Sequence, residues 1–339
     1  MIDLFSDTHT MPSEGMRRAM AEAEVGDSQL GEDPTTNRLQ DAVAGLLGTE
    51  AALFLSTGSM CNKVAVAALT RPGDAVVCDH RSHVMRFEGG GATIVAGVSF
   101  EPIVTDDGAF TPEQLEAVMT GTNVYQPRTS LVALEQTHNF AGGTVWPIDR
   151  YEAVCAAARR HGAAVMTDGA RLLNAVVASG VAADRWTAPV DAMWIDFSKG
   201  LGAPGGAALG GSADLVAEAT RWMYRVGGAM RQSGVLAAAA LYGLEHNVAG
   251  LERDHANARR LAEGLAETGV TLTDPATNMV FVDPTPAGVT AAGLAARLAD
   301  AGVRVSQLGS RVRAVTHLGV SEDDVDRAVE AIRGVLAAE

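Results

Sequence analysis

The sequence contains only two lysines, so chemistry that needs a primary amine has few places to occur. Lys63 and Lys199 are the only lysines among 26 basic residues. Lys199 follows an apolar run and opens a glycine- and proline-rich loop, where a lysine can act as an amine nucleophile toward a carbonyl. A surface-loop lysine is the plainer alternative, but the flanking glycines and Pro204 indicate close approach of the backbone to another group. Lys63 lies in an amphipathic helical stretch, where a solvated side chain is expected.

A lysine that carries pyridoxal phosphate needs an acid facing the pyridine nitrogen, a phosphate-binding turn and a group that stacks on the ring. Asp168 ends an apolar run 31 residues before Lys199. This is the size of one strand–helix–strand unit, so both residues would emerge at the same sheet edge. Gly58 and Ser59 follow another apolar run and begin a helix, where backbone N–H groups can meet a phosphate. His83 follows a third run and can stack on a flat ring or move a proton.

Each of these signals has a plainer structural explanation when it is taken alone. A strand-end aspartate such as Asp168 is often a helix cap, and small residues occur at many strand-to-helix turns. His80 and His83 could begin a metal site, but the sequence offers no third ligand. Together the positions converge on one sheet edge with complementary roles, which favours the cofactor site over a set of unrelated structural residues.

The elements that would position these residues alternate between short apolar runs and Ala/Leu-rich helical stretches. Runs that are apolar throughout are typical of parallel strands buried on both faces. This order predicts an α/β fold with a mostly parallel sheet, helices on both faces and a ligand site beyond the carboxyl ends of the strands. The predicted strands cover residues 51–56, 75–78, 93–96, 131–135, 163–167 and 192–196, and the predicted helices between them cover 60–69, 112–119 and 151–161.

The pattern changes after about Leu241, where long helices surround short apolar runs. We predict helices at 250–268, 291–301 and 322–338 and strands at 279–282 and 312–315. A chain of 339 residues suits one large or two ordinary domains. We therefore expect a large cofactor-binding domain at 1–246, whose N-terminal segment contributes to the active site, and a smaller α+β domain at 247–339.

Composition excludes several classes of function. With 47% apolar and 20% charged residues the chain is globular, and its net charge of −15 argues against nucleic-acid and anionic-membrane partners. Cys61, Cys78 and Cys155 form no CxxC pair, which fits a reducing compartment and offers no zinc site. No secretory signal is visible, and no apolar run approaches the roughly 20 residues of a membrane helix. We expect a cytoplasmic protein with no metal.

Several motifs also occur in a fixed order along nearly the whole chain. They are Ser6-Asp7-Thr8 with Pro12, Val25-Gly26-Asp27, Gly31-Glu32-Asp33-Pro34-Thr35, Ser59-Met60 with Asn62, His83 with Glu88-Gly89-Gly90, Leu134-Glu135-Gln136-Thr137-His138-Asn139 with Gly142-Gly143-Thr144, Asp168-Gly169-Ala170-Arg171-Leu172, Ser198-Lys199-Gly200, Gly227-Gly228-Ala229-Met230-Arg231-Gln232, and Arg313 with Thr316-His317. In this order they resemble the L-threonine aldolases of the β-eliminating lyase group. Those proteins are pyridoxal-phosphate enzymes with the aspartate-aminotransferase fold, called fold type I.

The resemblance implies roles for residues around pyridoxal phosphate. Lys199 would bind the cofactor covalently, Asp168 would pair with its pyridine nitrogen, and His83 would stack on its ring. His83 would also be the base that takes the proton of the substrate β-hydroxyl, directly or through a water. The other cofactor contacts that the resemblance implies are Gly58, Ser59, Met60, Arg171 and, across a subunit interface, Arg231.

The resemblance also implies an amino-acid substrate and an assembly. Ser6, Arg171 and Arg313 would hold the substrate carboxylate, and arginine suits this task because it binds carboxylates through two parallel hydrogen bonds. The products of cleavage would be glycine and an aldehyde. The family is usually tetrameric, so we expect a homotetramer with its active sites at dimer interfaces.

The chain departs from the family pattern close to the expected substrate site. Phe5 stands where arginine is usual, His9 occupies a usually apolar position, Ser59 replaces the commoner threonine, and Gln29-Leu30 replaces a segment that generally carries an aromatic residue. Tyr125 falls where many members have a second active-site histidine; a phenol can donate a hydrogen bond to the substrate but is a poor base at neutral pH. Transaldolation, β-elimination and cleavage of aryl- or α-methyl-serines therefore remain alternatives. A cofactor-binding protein without catalysis is disfavoured, because nucleophile, acid and carboxylate clamp are all present.

Overall fold

The structure, a computed structural model, describes residues 1–121 and 123–337. The last predicted helical residue, Ala338, lies outside this range. The strands are β1 Ile2–Asp3, β2 Ala51–Leu55, β3 Ala75–Asp79, β4 Ser99–Ile103, β5 Thr129–Glu135, β6 Ala164–Gly169, β7 Ala192–Asp196, β8 Ala207–Gly211, β9 Thr271–Leu272, β10 Met279–Asp283, β11 Val303–Arg304, β12 Ser306–Leu308 and β13 Arg311–Val315. The α-helices are α1 Glu14–Ala21, α2 Pro34–Leu47, α3 Gly58–Leu69, α4 His83–Arg86, α5 Gly91–Ala96, α6 Pro112–Val118, α7 Ile148–Arg160, α8 Leu172–Ser179, α9 Ala183–Thr187, α10 Ala213–Arg225, α11 Gly234–His246, α12 Leu251–Leu265, α13 Ala291–Asp300 and α14 Glu322–Ala337.

The large unit is built on a seven-stranded sheet with the order β2-β8-β7-β6-β5-β3-β4. Strands β7, β6, β5, β3 and β4 pair in parallel, and β8 runs antiparallel between β2 and β7. Successive residues of β5 enter different apolar clusters: Leu131 packs on one face of the sheet and Val132 on the other. Residues 131–134 of β5 are apolar, as expected of a strand covered on both faces. The parallel pairing of the five strands confirms the predicted mostly parallel sheet.

One predicted strand is wrong. Residues 93–96 belong to the short helix α5, and the strand of this region is β4. Gly90 and Gly97 flank α5 with left-handed backbone angles, φ 71° and 70°, and so end the helix on both sides. A short apolar run does not by itself distinguish a strand from a helical turn. Here the run forms a surface helix in which Ile94 is largely exposed.

The smaller unit contains an antiparallel sheet with the order β12-β13-β10-β9, and its core also includes residues of α12, α13 and α14. The N-terminal strand β1 pairs in parallel with β11, and Leu4 is fully buried in the same core. The first residues of the chain therefore pack on the C-terminal unit before the chain enters the large one. Within the described residues, no helix combines the length and the apolarity that crossing a membrane requires.

Candidate active site

A cavity of about 370 Å³ opens beyond the carboxyl ends of β5, β6 and β7, beside the first turn of α3. This is the sheet edge at which the sequence places its chemistry. Eight of the predicted site residues line it, drawn from both units and from the N-terminal segment. They are Ser6, Gly58, Ser59, His83, Asp168, Arg171, Lys199 and Arg313.

Lys199 presents its amine to this cavity and is itself mostly buried. Its Nζ lies 2.7 Å from Oδ2 of Asp196 and 5.9 Å from the centre of the Trp194 ring. Asp196 is the last residue of β7, and its Oδ1 accepts hydrogen bonds from the backbone N and the Oγ of Ser198. The rigid strand end thus fixes the carboxylate, and the carboxylate fixes the amine.

Asp168 lies at the end of β6 with both carboxylate oxygens engaged. Oδ2 accepts a hydrogen bond from Asn62 Nδ2 at 2.8 Å, and Oδ1 accepts one from the backbone N of Ala170 at 3.1 Å. Burial, assisted by the nearby Glu135 carboxylate, raises the pKa of Asp168 from 3.8 to about 6. A cationic N–H group placed against this carboxylate would stabilise its ionised form.

The turn before α3 is shaped to receive a small anion. Thr57 caps the helix by accepting a hydrogen bond from the backbone N of Met60, while the first-turn N–H groups of Gly58 and Ser59 lack acceptors within the helix. A Cβ atom on Gly58 would lie 2.5 Å from the Trp194 ring and 2.9 Å from the Asp196 carboxylate. Only glycine fits this close approach, so the backbone N–H groups stay reachable from the cavity.

His83 is the first residue of α4; it lines the cavity and is held by two glutamates. Its backbone N donates to Glu135 Oε2 at 2.8 Å, and its Nδ1 lies 3.1 Å from Glu88 Oε1. Burial lowers the pKa of His83, but the hydrogen bond that Glu88 accepts from it and the charges of Asp168 and Glu135 outweigh burial and raise it overall. The half-exposed Phe87 lines the cavity beside it and stacks on Phe140, with the ring centres 3.9 Å apart.

Arg171 is buried and already has a carboxylate partner in the chain. Its Nε and Nη2 donate to the two carboxylate oxygens of Asp7 at 2.7 and 2.6 Å, and Asn278 Nδ2 adds a third hydrogen bond to Asp7. Burial alone would raise the pKa of Asp7, but the charge of Arg171 holds it well below its ordinary value. In the described part of the chain this leaves Nη1 of Arg171 for another acceptor.

Arg313 is buried and has no acidic hydrogen-bond partner among residues 1–121 and 123–337. It donates from Nη1 to Asn139 Oδ1 at 2.8 Å, from Nη2 to the carbonyl of Phe5 at 3.2 Å and from Nε to Ser306 Oγ at 3.3 Å. All three acceptors are neutral. Burial and the neighbouring Arg171 lower the pKa of Arg313 to about 10, which still leaves it cationic at neutral pH. It is therefore the positive charge in the cavity that an anionic ligand would balance.

Three predicted residues lie outside the cavity of this chain. Met60 packs against Gly228, and its sulfur lies 3.8 Å from Ser56 Oγ. Arg231 is largely exposed and pairs with Asp27 at 2.8 Å. Tyr125 is 93% exposed on the loop before β5. Whether these residues reach a site in an assembly stays a prediction.

The structure also brings into the site several residues that were not predicted from the sequence to have a role there. Asp196 and Glu135 end β7 and β5, so the strand-end rule that found Asp168 could have found both. Asn62, Glu88 and Asp7 stand inside the quoted motifs but carry no chemical signal of their own. Their importance depends on partners that are distant in the sequence.

The cavity fits pyridoxal phosphate. Lys199 offers the amine for covalent attachment, and Asp168 is the buried acid that a protonated pyridine nitrogen would stabilise. The Gly58 turn can hold the phosphate, and the imidazole of His83 is positioned to cover a flat ring. Among the described residues no group of three or more His, Cys, Asp and Glu side chains could hold a metal ion.

Known proteins similar to this chain agree with the geometry. Residues 3–286 match the family model described as beta-eliminating lyase. The chain is 39% identical to a low specificity L-threonine aldolase of Escherichia coli (strain K12), covering 99% of this chain and all of the relative, and 40% identical to a probable low-specificity L-threonine aldolase 2 of Arabidopsis thaliana, covering 96% and 94%. A threonine aldolase structure from Leishmania major superposes with a TM-score of 0.83 at 20% identity, covering 99% of this chain and all of that one, which establishes the shared fold. The chain therefore belongs to the β-eliminating lyase family.

Proposed function

We propose that the chain is a pyridoxal-phosphate-dependent aldehyde-lyase that reversibly cleaves L-threonine, L-allo-threonine or a related L-β-hydroxy-α-amino acid to glycine and an aldehyde. One observation carries the proposal: Lys199, Asp168 and the uncompensated Arg313 line a single cavity. The names of the two full-length relatives, both threonine aldolases, support the choice of reaction.

The residues on the cofactor side of the site have two tasks: attaching the cofactor and pairing with its charges. When bound, pyridoxal phosphate supplies an electron sink for a bond broken at the substrate α-carbon. Lys199 provides the primary amine, a role that arginine cannot take because its guanidinium stays protonated. Asp168 keeps the pyridine nitrogen protonated, and the anion-binding turn at Gly58 holds the phosphate at the positive end of α3.

The substrate side of the site has two parts: the groups that bind the substrate carboxylate and a base. Arg313, with the remaining Nη1 of Arg171 and the hydroxyl of Ser6, binds the substrate carboxylate and so orients the bonds at the α-carbon. His83 takes the proton of the β-hydroxyl, and the carboxylates around it raise its pKa and so make it a stronger base. Loss of that proton allows the Cα–Cβ bond to break and the aldehyde to leave.

Cleavage of an aryl-serine is the second candidate, and one observation favours it. Phe87 lines the cavity beside His83 and stacks on Phe140, so an aromatic wall faces the space next to the proton-accepting group. An aromatic β-substituent would pack there with favourable ring geometry. A methyl group, as in threonine, would cover much less of this wall.

We further propose a cytoplasmic homotetramer with its sites at dimer interfaces. The segments around Asp27 and Arg231 are joined by the ion pair between these residues and by a hydrogen bond from the backbone N of Ser28 to the carbonyl of Arg231. Nearby, the side chains of Leu30 and Tyr224 are exposed. Such apolar exposure favours burial against another subunit. The free, buried cysteines suit a reducing compartment. Light scattering of the purified chain tests the oligomer, and a monomer would contradict it.

The reaction is tested by measuring glycine released from a panel of β-hydroxy amino acids, including L-threonine, L-allo-threonine and phenylserine. Pyruvate or ammonia without glycine would contradict the aldolase and favour β-elimination. Lys199→Ala is expected to abolish both turnover and the visible absorbance of lysine-bound cofactor while the fold is retained. Lys63→Ala is the matched control, because Lys63 lies outside the cavity lining. Full activity in Lys199→Ala together with loss in Lys63→Ala would overturn the site assignment.

A further inference from the structure

Glu88 lies behind the cavity with a fully buried side chain. Its Oε1 accepts a hydrogen bond from Asn62 Nδ2 at 2.8 Å and lies 3.1 Å from His83 Nδ1. Within residues 1–121 and 123–337, Glu88 makes one ion pair, which is the contact with His83. A carboxylate buried at this depth is costly unless it is paired, so its contact with His83 is a defined feature of the site.

Asn62 holds Glu88 in a fixed orientation. Its Nδ2 donates to Glu88 at 2.8 Å and to Asp168 at 2.8 Å, and its Oδ1 accepts a hydrogen bond from Trp194 Nε1 at 2.7 Å. A flipped amide would turn its oxygen toward two carboxylates and its NH₂ toward an indole N–H, so only one orientation satisfies all three partners. The same side chain thereby connects Glu88 to the acid at the end of β6.

This arrangement determines which nitrogen of His83 carries the proton. Oε1 of Glu88 already accepts a hydrogen bond from Asn62 Nδ2, so it faces His83 as an acceptor, and Nδ1 of His83 donates to it. In the neutral ring Nε2 is then unprotonated, and it has no protein partner within the described residues. Because His83 lines the cavity and Nδ1 points to Glu88, Nε2 is the nitrogen left for a ligand.

We propose that Glu88 is a positioning residue, held by Asn62, that fixes His83 in the form whose Nε2 accepts the proton of the substrate β-hydroxyl. This inference rests on the proposed aldol cleavage. In that step the O–H bond breaks and its proton moves to Nε2, while the O–H electron pair becomes the second C–O bond of the aldehyde. The Cα–Cβ pair stays with the glycine half, which afterwards takes up a proton at Cα.

The charges around His83 give the inference a measurable pH dependence. Glu88 from its own segment, Glu135 from the end of β5 and Asp168 from the end of β6 face the ring and raise the pKa of His83, while burial opposes them. Glu88→Gln keeps an acceptor that Asn62 can hold but removes one charge, so the pKa of His83 should fall. The acidic limb of kcat/KM then moves to lower pH, and kcat falls about tenfold because the base is weaker.

Glu88→Leu removes the acceptor as well as the charge. His83 is then free to carry its proton on Nε2, where it cannot act as the base, and kcat is expected to fall about a hundredfold. Glu267→Gln is the matched control, because Glu267 is exposed near the end of α12, and it should leave both the pH profile and kcat unchanged.

The direct test is nitrogen-15 NMR of the histidine-labelled, cofactor-loaded chain, with His83→Asn identifying the His83 signals among eight histidines. We expect the Nδ1–H form in the unmodified chain, the same form with a lowered pKa in Glu88→Gln, and the Nε2–H form in Glu88→Leu. An Nε2–H form in the unmodified chain overturns the proposal, as does an unmoved His83 titration or pH profile in Glu88→Gln. If Glu88→Leu does not fold, Glu88→Gln alone decides. Failure of the proposed function is separate, because it appears as absence of glycine from the unmodified chain, whereas the NMR reports the ring without any turnover.

Discussion

Asp168→Asn is expected to stabilise the cofactor-free chain while it abolishes turnover. Burial and Glu135 raise the pKa of Asp168 from 3.8 to about 6, so ionising it in the folded chain costs about 3 kcal/mol. Asparagine has the same size and no charge, and it removes this cost. Its NH₂ group can no longer accept the hydrogen bond from Ala170 N or from Asn62, a loss of about 1 kcal/mol. The net gain is about 2 kcal/mol above pH 6.

The size of this gain depends on pH. Because the pKa is raised on folding, the cost is absent below the unfolded value of 3.8, grows between 3.8 and about 6 and is complete above. At pH 5 only about half of this cost is present, so the net gain falls to a fraction of a kcal/mol. An unfolding entropy of about 2.1 cal/mol/K per residue converts these gains into Tm increases of about 3 °C at pH 8 and below about 1 °C at pH 5.

The assay is thermal melting of the cofactor-free chain at one protein concentration, at pH 8 and at pH 5. Asp41→Asn on the exposed face of α2 is the control, and its Tm difference should not change between the two pH values. In a Glu135→Gln background the gain should shrink, because the like charge that raises the pKa of Asp168 is gone. A lower Tm for Asp168→Asn at pH 8, or an equal gain at both pH values, would refute the reasoning.

Three further substitutions address other parts of the site. Gly58→Ala places a Cβ 2.5 Å from the Trp194 ring, so the affinity for pyridoxal phosphate should fall at least about tenfold in a cofactor titration, and unchanged affinity would contradict the anion-binding turn. Arg313→Lys keeps a charge but loses the planar fork, so KM should rise about 10–100-fold with a smaller change in kcat; an equal loss in both would assign Arg313 to another step. Asp7→Asn leaves Arg171 buried without an anion and should cost about 3–5 kcal/mol, measured as a lower Tm, whereas an unchanged Tm would show that the pair is not needed.

Much of the catalytic edge could be predicted because parallel strands impose a simple geometry. Their carboxyl ends meet at one edge, so residues that follow apolar runs, such as Asp168 and Lys199, come together although 31 residues separate them. The residue types then restrict the chemistry, since only lysine forms a covalent link to an aldehyde cofactor and only a small turn residue such as Gly58 allows close backbone approach.

The remaining parts depend on pairings that have no local signal. Nothing in the sequence around Asp7 indicates that it meets Arg171, 164 positions away, and nothing around Asn62 indicates that it links Glu88 with Asp168. These partners are selected by tertiary packing. The helix α5 was missed for a related reason: both of its boundaries depend on glycines with left-handed backbone angles, and the sequence does not show which glycines adopt them.

The two arginines of the cavity contribute differently to binding an anionic substrate. The charge of Arg171 is neutralised by Asp7, so Arg171 can orient a carboxylate but adds little net positive charge. The described acceptors around Arg313 are all neutral and leave its charge uncompensated. The net charge of −15 would repel an anion at long range, but at physiological salt such repulsion is screened within about 8 Å. Attraction inside a buried cavity is screened much less. In the proposed reaction we therefore expect the substrate carboxylate to gain its binding free energy chiefly from Arg313, while Arg171 and Asp7 act as a rigid frame that fixes its orientation.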